Sequence, residues 1–100
     1  MAYLLRITAE ADREYSESAD WYEQQRKGLG LRFIEIVERK LAIITANPFR
    51  YPVRKYNFRE APIRIFPYLI IYKAYTRKKE IAVYAIFHSS RNPKTKYRRK

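Results

Sequence analysis

Hydrophobic and polar positions along this chain fall into two regimes of period. Residues 3–8 alternate, with Tyr3, Leu5 and Ile7 on one face, and this predicts a short strand. From residue 9 the period lengthens. Ala11, Tyr15, Ala19 and Tyr22 recur at spacings of four, four and three, the apolar stripe of a helix over about 9–27. Thr8 suits its N-cap, Glu10 and Asp12 its first turn, Arg26 and Lys27 its last, and Gly28 its C-cap. Trp21 falls beside the stripe, at the edge of a core. Gly28-Leu29-Gly30 then makes a tight corner into a second helix, about 30–46. Its stripe is Phe33, Val37, Leu41 and Ile44, widened by Ile34 and Ile36, and Asn47-Pro48 ends it. So short a corner lays the two helices antiparallel.

Beyond Pro48 the period of two returns. Residues 53–59 predict a strand that is short or at an edge, because Pro52 and Pro62 bracket it. Residues 63–66 predict another, with Ile63 and Ile65 facing one way and Arg64 the other. The clearest strands are residues 67–76 and 80–88, rich in β-branched and aromatic side chains around an Arg77-Lys78-Lys79 turn. In the last strand Ile81, Val83, Ala85 and Phe87 alternate with Ala82, Tyr84, Ile86 and His88. Both sets are largely apolar, which predicts a central strand with the helices on one face and side chains of the basic segment on the other. The order is β-α-α-β-β-β. The fold class is α+β, a mostly antiparallel small sheet with an αα-hairpin packed on one face. One domain takes up residues 1–100, and the stretch from about 93 to 100, without apolar period, is expected to be a flexible basic tail.

Composition narrows the chemistry. The absence of cysteine excludes a disulfide framework, a thiolate zinc site and a cysteine nucleophile. Two glycines are too few for a phosphate-cradling Gly-rich loop, and no metal site or cofactor motif emerges. The first residues lack an apolar signal core and no run approaches a membrane span, so a soluble, cytoplasmic protein with no membrane partner is expected. The charge is uneven. Residues 1–49 carry a net −1 and residues 50–100 a net +13 within the formal +12 of the chain. The sheet-forming half therefore asks for an anionic partner, nucleic acid or an acidic protein.

The last strand delivers His88, Ser89, Ser90, Arg91 and Asn92 to the end of the sheet. Metal-free RNA cleavage needs the 2′-hydroxyl deprotonated, the leaving oxygen protonated and the phosphorane charge held. His88 is a candidate for proton transfer, Arg91 and Arg64 for holding phosphate oxygens, and Lys55 or Tyr72 for assistance. Each has a plainer alternative: His88 as a hydrogen-bonded strand end, Arg91 as a tie for the tail. Binding without catalysis would instead use the basic strand end and tail, Arg91, Lys94, Lys96, Arg98 and Arg99, with Tyr97 as an interface anchor.

The segments WYE (21–23), GLGLRF (28–33), NPFRYP (47–52), RIFPYLIIY (64–72) and AVYAIFHSSRNP (82–93) occur in the order and spacing of the RelE/ParE family of bacterial toxins from type II toxin–antitoxin systems, which the chain resembles over nearly its whole length. The FPY-x-IxY and FHxxRxP details are closer to the ParE side. The resemblance implies the β-α-α-β-β-β fold and a cognate antitoxin that binds and neutralises the toxin. It implies one of three activities: poisoning of DNA gyrase, as on the ParE side; ribosome-dependent mRNA cleavage, as on the RelE side; or no toxicity, with the chain kept as an antitoxin partner. RelE-like ribonucleases often carry an R-x-x-Y pattern in which the Arg position falls here on Leu69, three before Tyr72, and Tyr97 matches their C-terminal Tyr. An antitoxin helix or added strand is expected to dock in a groove lined by Trp21, Tyr22, Phe33, Tyr56 and Phe58.

Overall fold

The computed structural model describes residues 3–91 and 95–97. Strand β1 (Leu4–Ile7) leads into helices α1 (Ala9–Gln25) and α2 (Leu29–Ala46), a short 3₁₀ turn (Pro48–Arg50), and strands β2 (Arg59–Pro62), β3 (Tyr68–Tyr75) and β4 (Glu80–His88). The sheet order is β1-β4-β3-β2. β1 runs parallel to β4 and the other pairings are antiparallel, so the last strand lies inside the sheet as its two apolar faces require.

Thr8 caps α1, its Oγ1 accepting the Ala11 N–H at 3.2 Å. The helix ends at Gln25, two residues before the predicted end, because Arg26 turns extended with φ −162°. Gly28 therefore caps the start of α2, not the end of α1, and does so at φ 88°, where only glycine is unstrained. Glu23 completes the corner: its two carboxylate oxygens accept the N–H groups of Gly28 and Gly30, each at 3.0 Å. Gly30 is where the helices touch. A Cβ there would lie 2.6 Å from the Ala19 carbonyl oxygen. α2 buries Phe33, Ile36, Val37, Leu41 and Ile44, while Ile34 stays largely outside, so the stripe widens on one side only.

The helix-side core gathers Tyr22, Phe66 and Tyr68 around the buried Phe33, with ring centroids 5.0–5.3 Å from it. On the far side of the sheet a second cluster joins Phe58, Ile71, Ala85 and Phe87, with Leu69, Tyr84 and Tyr97 packed on it. The predicted alternation in β4 does not run through the strand. Tyr72 pairs with Val83 but Ile71 with Ala85, so Tyr84 is a bulge residue. One extra residue reverses the pleat. Ile81 and Val83 face the helices, whereas Ala85 and Phe87 face away.

Two predicted strands are turns. Within residues 53–59, Tyr56 and Asn57 are left-handed (φ 54° and 65°), and only a single Val53–Arg59 bridge forms, with the strand itself beginning at Arg59. Residues 63–66 reverse the chain between β2 and β3. Ile65 has φ 74°, and the Phe66 N–H closes on the Arg64 carbonyl at 2.8 Å. Ile63 is consequently buried and Ile65 is 64% exposed, not on one face.

Candidate functional site

β4 extends past β1, whose last paired residue, Ile7, meets Val83. Glu14 of α1 takes up the place a strand would fill. Its Oε1 accepts the Ile86 N–H at 3.0 Å, and its Oε2 accepts from Arg91 Nη1 at 3.2 Å. The sequence reading missed this carboxylate, since nothing distinguishes Glu14 among the six acids of α1. The Arg91 guanidinium is thus held by a carboxylate, while its backbone N–H donates to the carbonyl of the strand-end His88 at 3.0 Å. His88 packs edge-on to Tyr68, with centroids 4.9 Å apart. Its Nδ1 accepts the Ser90 N–H at 3.0 Å and meets Ser90 Oγ at 2.6 Å. A nitrogen that accepts from an N–H is unprotonated, so the proton of the neutral ring lies on Nε2. His88, Arg91, Glu14, Glu17, Trp21 and Tyr68 line an open cleft of about 190 Å³ between α1 and the strand end.

The other residues considered for cleavage lie elsewhere. Tyr72 is fully buried, and its hydroxyl donates to the Pro48 carbonyl at 2.7 Å; burial pushes this phenol up to about 12. Its hydroxyl is engaged in a structural hydrogen bond and lies outside the cleft. Lys55 lies on the 53–58 turn with its ammonium 5.3 Å from the Tyr56 ring centre. Arg64 is exposed beside α2, in a depression with Ile36, Arg39, Lys40 and Ile43. Neither lines the cleft.

The far face of the sheet interleaves cations with rings. Lys73 Nζ lies 4.5 Å from the Phe58 centroid and 5.7 Å from that of Tyr84. Lys96 approaches Phe87 and Tyr97 at 5.9 and 5.8 Å, and Arg91 lies 5.5 Å from Phe87. The two acids of residues 50–100 are both engaged there, Glu80 by Arg6 and Glu60 by Lys96, each at 3.5 Å. The eight acids of residues 1–49 all lie on α1 and α2. Among the described residues, cations of the second half thus gather with rings on the far face of the sheet, while all eight acids of the first half lie on the helices.

Tyr97 departs from expectation. It is not an exposed anchor on a loose tail: it stacks on Phe58 (5.3 Å, 18° between planes) and donates its hydroxyl to Glu60. Burial and the Glu60 carboxylate push this phenol up to about 12. Glu60 is one of only two acids in the basic half, a signal that would have marked it as a partner. Lys94, Arg98 and Arg99 lie outside the described residues. The five residues expected to line one groove divide between two faces. Trp21, largely exposed, meets Tyr22 edge-on at 5.1 Å with Phe33 buried beneath, whereas Tyr56 and Phe58 belong to the far side with Tyr97.

Residues 5–93 match the family model described as the ParE toxin of the type II toxin–antitoxin system, parDE. Among solved structures, the chain is similar to the chromosomal ParDE system from P. aeruginosa, at TM-score 0.75 and 14% identity over 87% of this chain and 96% of that one. It is also similar to the intact E. coli RelBE toxin–antitoxin complex (TM-score 0.65, 19% identity, 90% and 100% covered). The RelBE2 complex from Mycobacterium tuberculosis gives 0.63 and 17%, over 88% and 92%. No curated protein sequence matches the chain. Among the described residues no helix is long and apolar enough to cross a membrane.

Proposed function

The chain belongs to the ParE toxin family of type II toxin–antitoxin systems, and from that premise we propose that it arrests growth by binding DNA gyrase and is neutralised by a cognate antitoxin. One observation carries the choice of target: the groups that RNA cleavage would need do not converge. Tyr72 has its hydroxyl sealed against Pro48, Tyr97 donates to Glu60, Lys55 and Arg64 lie outside the cleft, and Leu69 stands at the R-x-x-Y arginine position. General acid–base catalysis requires its partners within hydrogen-bond reach of the same reacting group. A binder needs only a complementary surface, and the basic, ring-studded sheet face with Arg91 at its end suits an acidic or DNA-associated target.

A second reading, ribosome-dependent mRNA cleavage, rests on the single cleft that His88, Arg91 and Glu14 share. One preparation of toxin distinguishes the two. Inhibited gyrase supercoiling with intact mRNA in a translating extract is the expected result. Site-specific mRNA cuts with unimpaired supercoiling would replace the first reading by the second.

A further inference from the structure

The strand end carries a hydroxyl that neither reading of the target uses. Ser90 is exposed on the turn that follows β4, and its Oγ lies 2.6 Å from His88 Nδ1. That nitrogen accepts the Ser90 N–H at 3.0 Å, so it holds no proton and the hydroxyl is the donor. A serine O–H given to an unprotonated imidazole nitrogen at about 2.6–3.2 Å is the arrangement of a nucleophile and its base. The turn is fixed on either side of the pair. The Ser89 N–H donates to the Pro67 carbonyl at 2.7 Å, and the Arg91 N–H to the His88 carbonyl at 3.0 Å. The ring itself rests edge-on against Tyr68. Ser89 is also exposed, yet among the described residues its hydroxyl has no base within hydrogen-bond reach.

The surroundings select the electrophile. His88 and Arg91, the two neighbours that flank Ser90 and its turn, both line the 190 Å³ cleft. Trp21, Tyr68 and Ile86 give that cleft apolar walls, and Glu14 and Glu17 set two carboxylates on it. A phosphoric anhydride brings negative charge against those carboxylates, and Arg91 is already paired with Glu14 at 3.2 Å. A neutral ester or thioester brings no charge and offers an apolar body to the walls. The Arg91 guanidinium gives Nη1 to Glu14 and keeps further N–H donors for charge that develops on a carbonyl oxygen.

We propose that Ser90 is an acylation site, with His88 as its general base and a neutral activated ester or thioester as the acyl donor. The Ser90 oxygen bonds to the acyl carbon while its proton passes to His88 Nδ1. The donor's carbon–oxygen or carbon–sulfur bond then breaks, and the departing alkoxide or thiolate takes that proton from the imidazolium. The acyl group stays on Ser90, and nothing is oxidised or reduced.

The probe is p-nitrophenyl acetate, incubated with the full chain, with acetylated residues located and timed by peptide mass spectrometry. Ser90 is expected to label faster than Ser89 and faster than the lysines. His88→Asn keeps an acceptor oxygen for the Ser90 N–H but takes no proton. It should slow labelling of Ser90 about a hundredfold and leave that of the lysines unchanged. Ser90→Ala, a change at an exposed turn that does not touch the core, should abolish the fast release of p-nitrophenolate, and Ser89→Ala should preserve it. Ser90 labelling no faster than Ser89, equal Ser90 rates in wild type and His88→Asn, or a fast release that survives Ser90→Ala would each overturn the assignment.

Discussion

Replacing Tyr97 by alanine is expected to destabilise the fold by about 2 kcal/mol, although the residue lies within a stretch whose sequence reads as loose tail. Its ring stacks on the fully buried Phe58 and its hydroxyl donates to the Glu60 carboxylate. An aromatic pair contributes roughly 0.5–1.5 kcal/mol beyond area burial. A hydrogen bond to a charged acceptor contributes about 1.5–3 kcal/mol when sealed from water, and about 1 kcal/mol is the fair figure for this half-buried site. For a domain of this size each kcal/mol moves the midpoint by about 4–8 °C, so Tyr97→Ala should lower it by about 10 °C. Tyr97→Phe separates the two contributions, keeping the stack and losing the hydroxyl, and should account for about half of the drop. In a Glu60→Gln background Tyr97→Phe should cost less than it does alone, because the partner it loses is then neutral. Thermal unfolding followed by circular dichroism reads wild type, the two Tyr97 variants, Glu60→Gln and the double variant. A midpoint for Tyr97→Ala within about a degree of wild type would mean that residues 95–97 do not hold to the sheet, and the account of its far face would fall.

Two further outcomes follow from the packing and the phenols. Gly30→Ala should cost about 1–3 kcal/mol in urea unfolding despite alanine's better helix propensity, because its Cβ must displace the Ala19 carbonyl 2.6 Å away; a gain in stability would refute the close approach. Alkaline pH should unfold the protein in a defined window. Tyr72, Tyr75 and Tyr97 are each raised to about 12, chiefly by burial, so the fold retains protons that the unfolded chain releases near 10. Their contribution is complete below pH 10, declines between 10 and 12, and is lost above. A midpoint that stays level to pH 12 would contradict those shifts.

Much of this architecture is legible in the sequence because periodicity reports burial directly. The stripe Phe33, Val37, Leu41 and Ile44 is buried as read, and so are both faces of the last strand. What escapes is what depends on one residue's backbone or on distant partners. The bulge at Tyr84 leaves no local trace, since valine, tyrosine and alanine fit either side of a pleat, yet it decides that Phe87 leaves the helix-side core. The left-handed turn at Ile65 defies the preference of its own side chain, so the motif RIFPY reads as strand where the chain reverses. The cleft was half legible: His88 and Arg91 stand near each other in sequence, but Glu14 reaches Arg91 across 77 positions. The residues expected to line one groove lie on two faces, because Phe33 and Phe58, alike in composition, are divided by the sheet.

The last strand of the sheet in chain order is also the one that joins β1 to the β2–β3 pair. β1 has no neighbour until β4 exists, and β3 has only the short β2. A nascent chain halted before Glu80 can wind its helices but has only the β2–β3 pair to lay them against, so shortened products should be substrates for proteases. The order of the elements thus makes assembly of the sheet depend on one late strand: all four strands come together only once β4 has been made.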